Sequence, residues 1–96
     1  MIFRNEKLPE GSVLVRLYKA ESSEEWPIDY FSTAVIVPVD LVTCEVKGLV
    51  LDDNRTYEDN RDIAETINNA CRLAGFTKMK YHRRKHGRDY TATIRL

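Results

Sequence analysis

The sequence predicts an α+β fold: a mostly antiparallel sheet of about five strands, in the order β-β-β-α-β-β, with one amphipathic helix packed on a face. Three observations carry that expectation. Short apolar runs with period-two alternation recur between Gly, Pro and acidic punctuation, a strand pattern. A single segment, 57–74, has a helical apolar stripe. The last twenty residues hold two alternating arms around a glycine-containing turn. At 96 residues the chain is expected to form one domain, 1–96, with room for a single modest core. Apolar residues at 43% and charged residues at 31% suit an ordered chain rather than a disordered one.

Residues 1–11 are expected to be an irregular lead-in punctuated by Pro9 and Gly11. Val13 to Tyr18 reads as the first strand, with Val13, Val15 and Leu17 on one face and Arg16 and Tyr18 on the other. Residues 20–29 form an acidic loop around Trp26. Tyr30 to Val39 reads as a strand whose end Pro38 demotes to an edge or bulge. Thr43 to Leu51 reads as a third strand, with Cys44, Val46 and Val50 facing one way and Glu45, Lys47 and Leu49 the other, and with Gly48 as a bulge.

In the helix, Ile63, Ala64, Ile67, Ala70, Cys71 and Ala74 make the apolar stripe, and the small residues among them predict close approach to the sheet. Thr56 and Asp59 have capping-box spacing, with Asn60 as the rival N-cap. Glu58, Asp59 and Asp62 suit the positive end of the helix dipole. Gly75 stands where a left-handed residue closes a helix, with Phe76 folding back on the last turn. Thr77 to Arg84 and Asp89 to Leu96 are the arms of a final hairpin, turning at Lys85-His86-Gly87-Arg88. Tyr90, Ala92, Ile94 and Leu96 point inward on the second arm. On the first arm Met79 and Tyr81 face away from Lys78, Lys80, His82 and Arg84.

Charge is the most informative functional feature. The formal net charge is zero, but residues 1–62 hold 13 acidic and 7 basic side chains while residues 63–96 hold 2 acidic and 8 basic. The run 78–88 carries six basic residues, two histidines, one tyrosine and no acid. Segregation of this kind points to an anionic partner. The leading expectation is a non-enzymatic, cytoplasmic interaction protein whose basic hairpin contacts nucleic acid. Lys78, Lys80, Arg83, Arg84, Lys85 and Arg88 would neutralise phosphates, and Tyr81 and His82 would stack on bases. The alternative is a protein-binding inhibitor or adaptor of the phage or mobile-element accessory type, an anti-defence protein or nucleic-acid mimic among them. It would use Trp26, Glu24, Glu25, Asp52, Asp53, Glu58 and Asp59. The opposite-signed segments also permit salt-reversible homo-oligomers.

Other classes are argued against. The apolar runs are too short to span a bilayer, so no membrane association is expected, and the N-terminus has no secretory-signal pattern. Cys44 and Cys71, 27 residues apart, form neither a CxxC pair nor a disulfide framework and are expected to be buried thiols. His82 and His86 have no carboxylate or cysteine beside them in sequence, and the 52–62 acidic run lacks the glycine and spacing of an EF-hand, so no metal and no cofactor is expected. There is no GxSxG, HExxH, Walker or GxGxxG motif. The run from Gly48 through the helix to Ala74-Gly75-Phe76 and on to Met79 resembles the central strand–helix–strand of the GNAT acetyltransferases in order of elements. That resemblance implies a pyrophosphate-binding, glycine-rich turn. Here no glycine stands between Gly48 and Gly75, and Asp52, Asp53, Glu58 and Asp59 fill the region, which would repel a pyrophosphate.

Overall fold

The computed structural model describes residues 1–18, 32–50 and 56–96, and for Tyr57, Arg83, Arg84 and Lys85 the backbone alone. The fold is α+β. Six strands and one helix follow in the order β1 (Ile2–Lys7), β2 (Val13–Tyr18), β3 (Ser32–Pro38), β4 (Thr43–Val50), α1 (Tyr57–Leu73), β5 (Lys78–Lys85) and β6 (Arg88–Arg95). The sheet keeps chain order from β1 to β6. Every pairing is antiparallel except β4 with β5, which α1 connects as a parallel crossover.

The first correction is β1, where an irregular lead-in was expected. Its pairing with β2 runs from Ile2↔Tyr18 to Lys7↔Val13. Its inward positions are Phe3, which packs on the core, and Asn5, whose Nδ2 donates to the Ala70 carbonyl of α1 at 3.3 Å. One apolar residue among the inward positions is too weak a pattern to announce a strand. The turn that follows is tight: Leu8 N–H donates to Ser12 O at 2.8 Å, and Gly11 sits at φ 96.

Gly48 forms the expected bulge, at φ 61. Between Thr33↔Val50 and Val35↔Lys47, two steps on β3 face three on β4. The extra residue flips the alternation beyond it. Leu49, expected beside Glu45 and Lys47, therefore joins the Cys44–Val46 face and lines a cleft there, while Val50 moves to the other side.

Helix α1 starts where the capping box places it. Thr56 Oγ1 accepts from Asp59 N–H at 3.1 Å, and Asp59 Oδ2 accepts from Thr56 N–H at 2.8 Å. At the other end Phe76 N–H donates to Cys71 O at 3.1 Å and Gly75 N–H to Arg72 O at 3.0 Å, with Gly75 at φ 99, a Schellman closure. The hairpin turn is tighter than expected. Lys85 pairs with Arg88, so only His86 and Gly87 turn, at φ 53 and 75. Two positive φ values in a two-residue loop are the type I′ geometry, which matches the twist of the strands it joins.

The core lies between α1 and one sheet face. Val15, Leu17, Ala34, Ile36 and Cys44 from the sheet meet Ile63, Ile67, Ala70 and Cys71 from the helix, with Met79 beside them. Ala70, at 0% exposure, gives the close approach that the small residues predicted. Both thiols are buried and free. Burial pushes the Cys71 thiol up to about 12 and raises Cys44 as well, so neither is a nucleophile at neutral pH. At the β3–β4 turn Asp40 Oδ1 accepts from Val42 N–H at 2.9 Å and Thr43 N–H at 2.7 Å, which holds its carboxyl below the usual range. No helix among the described residues is long and apolar enough to cross a membrane.

Candidate nucleic-acid interface

The β5–β6 register decides where the basic residues go. Met79 pairs with Ile94 and Tyr81 with Ala92, on the helix side. Lys78 pairs with Arg95, Lys80 with Thr93 and His82 with Thr91, on the face turned away from the helix. The parallel register Glu45↔Lys80 then brings Glu45 and Lys47 of β4 onto that same face. Lys47 and Arg95 are thus members of the basic surface that the run 78–88 did not reveal. Arg95 was legible as an outward position of an alternating arm. Lys47 required knowing that β4 is the parallel neighbour of β5.

Lys78 and Arg95 stand directly opposite each other across the ladder. Like charges in that relation destabilise a sheet by tenths of a kcal/mol, on the order of 0.2–1. Among the described residues Lys78, Lys80, Arg88 and Arg95 make no ion pair. By contrast Arg16, on β2, is paired with Glu6 at 3.0 Å.

His82 is held rather than free. Its Nε2–H donates to Glu45 Oε1, and its Nδ1 is hydrogen-bonded with Thr91 Oγ1 at 3.1 Å. The Glu45 carboxyl lies below its ordinary range, first through His82 and then through the nearby Lys47 and Lys80 charges, against the opposing effect of its partial burial. Lys47 Nζ stands 3.8 Å from Glu45 Oε2. The carboxylate thus ties β4 to β5 just beyond the last paired residues.

Beyond Glu45 and Lys80 the two parallel strands no longer pair. An apolar cleft of about 480 Å³ opens there. Val46, Leu49, Met79 and Ile94 wall it from the sheet, and Ala64, Ile67 and Asn68 close it from α1. Tyr81 and His82 also line it. The Asn68 amide makes no hydrogen bond among the described residues.

Of the residues expected to contact nucleic acid, the structure thus brings Lys78, Lys80 and His82 together on one face and sends Tyr81 to the other side, into the cleft. Arg83, Arg84 and Lys85 end β5, and Arg88 begins β6. Of the alternative, protein-binding set, Glu58 and Asp59 lie in the first turn of α1, Asp59 in the capping box. Trp26, Glu24, Glu25, Asp52 and Asp53 lie outside the described residues. No group of three or more metal-ligating side chains gathers among the described residues.

No protein-family model matches the chain, and neither a curated protein nor a solved structure matches it.

Proposed function

We propose that this protein binds nucleic acid through the basic face of β4–β6 and the hairpin ribbon that extends from it. The supporting observation is the opposition of Lys78 and Arg95 across the ladder. Two like charges set side by side on neighbouring strands repel, whereas a row of phosphates turns that repulsion into attraction. The flat strand face supplies Lys47, Lys80 and Arg95, and the ribbon adds Arg83, Arg84, Lys85 and Arg88.

The test is fluorescence anisotropy with single- and double-stranded DNA and RNA at low and moderate salt. Micromolar or tighter binding should weaken with salt and should be lost when Arg83 and Arg84 are both changed to Ala. No binding at low salt to any of the four would refute the proposal.

A further inference from the structure

We infer that two copies of this chain pair edge to edge through β6, antiparallel about a two-fold axis through Ala92, so that Asp89 of each copy stands opposite Arg95 of the other. The inference is independent of the nucleic-acid reading.

The first argument is the open edge. β6 ends the sheet, and among the described residues no strand pairs with its outer side. Leu96 N–H donates to Thr77 O at 2.9 Å, so Leu96 turns its backbone toward β5. By the alternation of an antiparallel ladder Tyr90, Ala92 and Ile94 do the same, and Asp89, Thr91, Thr93 and Arg95 turn their N–H and C=O groups outward. The second argument is the lack of protection. Edge strands are ordinarily blunted by proline, a bulge, lysine, an inward-pointing charge or short length. β6 has 8 residues in unbroken register and contains no proline, glycine or lysine. Between Asp89 and Arg95 its helix-side positions are Tyr90, Ala92 and Ile94, none of them charged. β1, the other edge, has 6 residues and carries Lys7 at an inward position.

The third argument is self-complementarity. An axis through Ala92, perpendicular to the sheet, sets Thr91 opposite Thr93, Tyr90 opposite Ile94 and Asp89 opposite Arg95 of the second copy, each pair on one face. The outward-turned residues then fall in the hydrogen-bonded pairs, each of which exchanges two backbone bonds. On the helix side Tyr90, exposed in the single chain, covers Ile94 of the second copy, an aromatic and β-branched pair. On the reverse face the Asp89 carboxylate meets the Arg95 guanidinium. On the axis Ala92 meets its own copy in a non-hydrogen-bonded pair, where Cα atoms approach to about 4.5 Å and a small side chain fits. Centring the axis on Thr91 or Thr93 instead sets Asp89 or Arg95 opposite a threonine and loses the ion pair.

Only the edge of one strand is covered, so the dimer belongs with small, weak interfaces, and its Kd should be on the order of 100 μM. The chain is then monomeric in dilute solution, where Arg95 faces only Lys78 across its ladder. Sedimentation velocity from about tenfold below to about tenfold above that Kd should show wild type passing from monomer to dimer. Asp89→Arg and Arg95→Asp each set like charges opposite one another at both symmetry-related ends and should weaken the dimer by about tenfold or more. Mixed one to one, the two variants should form a heterodimer as tight as the wild-type dimer. In it the introduced cation faces the introduced carboxylate, and the remaining Arg95 faces the remaining Asp89. Thr93→Pro removes an outward N–H that β5 does not use, so it should give a folded monomer, checked by circular dichroism. That variant keeps the test decisive where a charge variant fails to fold. A wild-type chain that stays monomeric across the range would overturn the inference. So would a dimer that Thr93→Pro leaves intact, or a mixture that associates no better than its components.

Discussion

Arg95→Thr separates the cost of the basic face from its use. In the folded chain Arg95 is exposed, faces Lys78 directly across the β5–β6 ladder and makes no ion pair among the described residues. Threonine suits a strand and removes the like-charge opposition. Relief of that repulsion should raise stability by about 0.2–0.5 kcal/mol, the lower part of the cross-strand pair range because the site is solvated. For a domain of this size the rise corresponds to roughly 1–4 °C in Tm. Added salt already screens the wild-type repulsion, so the gain should fade at about 1 M NaCl, where the Debye length is about 3 Å. Binding should move the opposite way. One lost phosphate contact lowers the slope of log K against log salt by about 0.7 for a single strand. Thermal melts at two salt concentrations and anisotropy titrations across a salt series read both effects on one preparation. A variant that is less stable than wild type, or that binds nucleic acid with an unchanged slope, would refute the reasoning that the opposition is tolerated for a polyanion.

Three further outcomes follow from the fold. Thr56→Ala removes the acceptor for Asp59 N–H in the capping box and should cost about 1 kcal/mol, seen as a shift in urea midpoint with unchanged m. Asn5→Val should stabilise by about 1 kcal/mol in the same assay. Among the described residues Asn5 Oδ1 is buried without a partner, a cost of about 1–3 kcal/mol. The Ala70 carbonyl that Asn5 contacts keeps its bond from Ala74 N–H at 3.0 Å, so little is lost. The raised Cys71 thiol fixes the alkaline limb. Its folded value, about 12, lies above the ordinary 9.0, so its contribution is fully present below pH 9 and is lost as pH rises toward 12. Denaturant midpoints should therefore fall across that window in wild type and fall less steeply in Cys71→Ala.

The sequence carried the elements with strong local signatures and missed those that depend on neighbours. Capping box, Schellman glycine and hairpin glycine are each decided within about six residues by side-chain chemistry, and each is where the spacing put it. The helix stripe holds at Ile63, Ile67, Ala70 and Cys71, whereas Ala64, expected in it, is exposed. β1 was not legible because Ile2 and Phe3 are followed only by charged and amide residues, and its strand character comes from pairing with β2. The flip at Leu49 was not legible either. Gly48 announces a bulge, but which residues change face depends on how β3 pairs beyond it. The basic face was half legible for the same reason. Period two sorted Lys78, Lys80 and His82 from Met79 and Tyr81, whereas Lys47, Glu45 and Thr91 joined them through two ladders and a parallel crossover. Asn68 carried no signal, since a polar residue at a helical position reads as solvent-facing until the neighbouring strands are placed.

The cleft itself follows from a mismatch of dimensions. Six strands about 4.8 Å apart span roughly 24 Å between the edge strands, while one helix is about 10 Å wide. A single helix cannot cover such a sheet. Here α1 lies against β1 and β2, and Asn5 ties β1 to its C-terminal half. The helix-side face of β4–β6 is therefore left under-covered among the described residues. A sequence selected for solubility alone would place polar side chains there, as it does on the reverse of the same strands. Instead Val46, Leu49, Met79 and Ile94 stay apolar on the helix side, while Glu45, Lys47, Lys80 and Thr93 occupy the other.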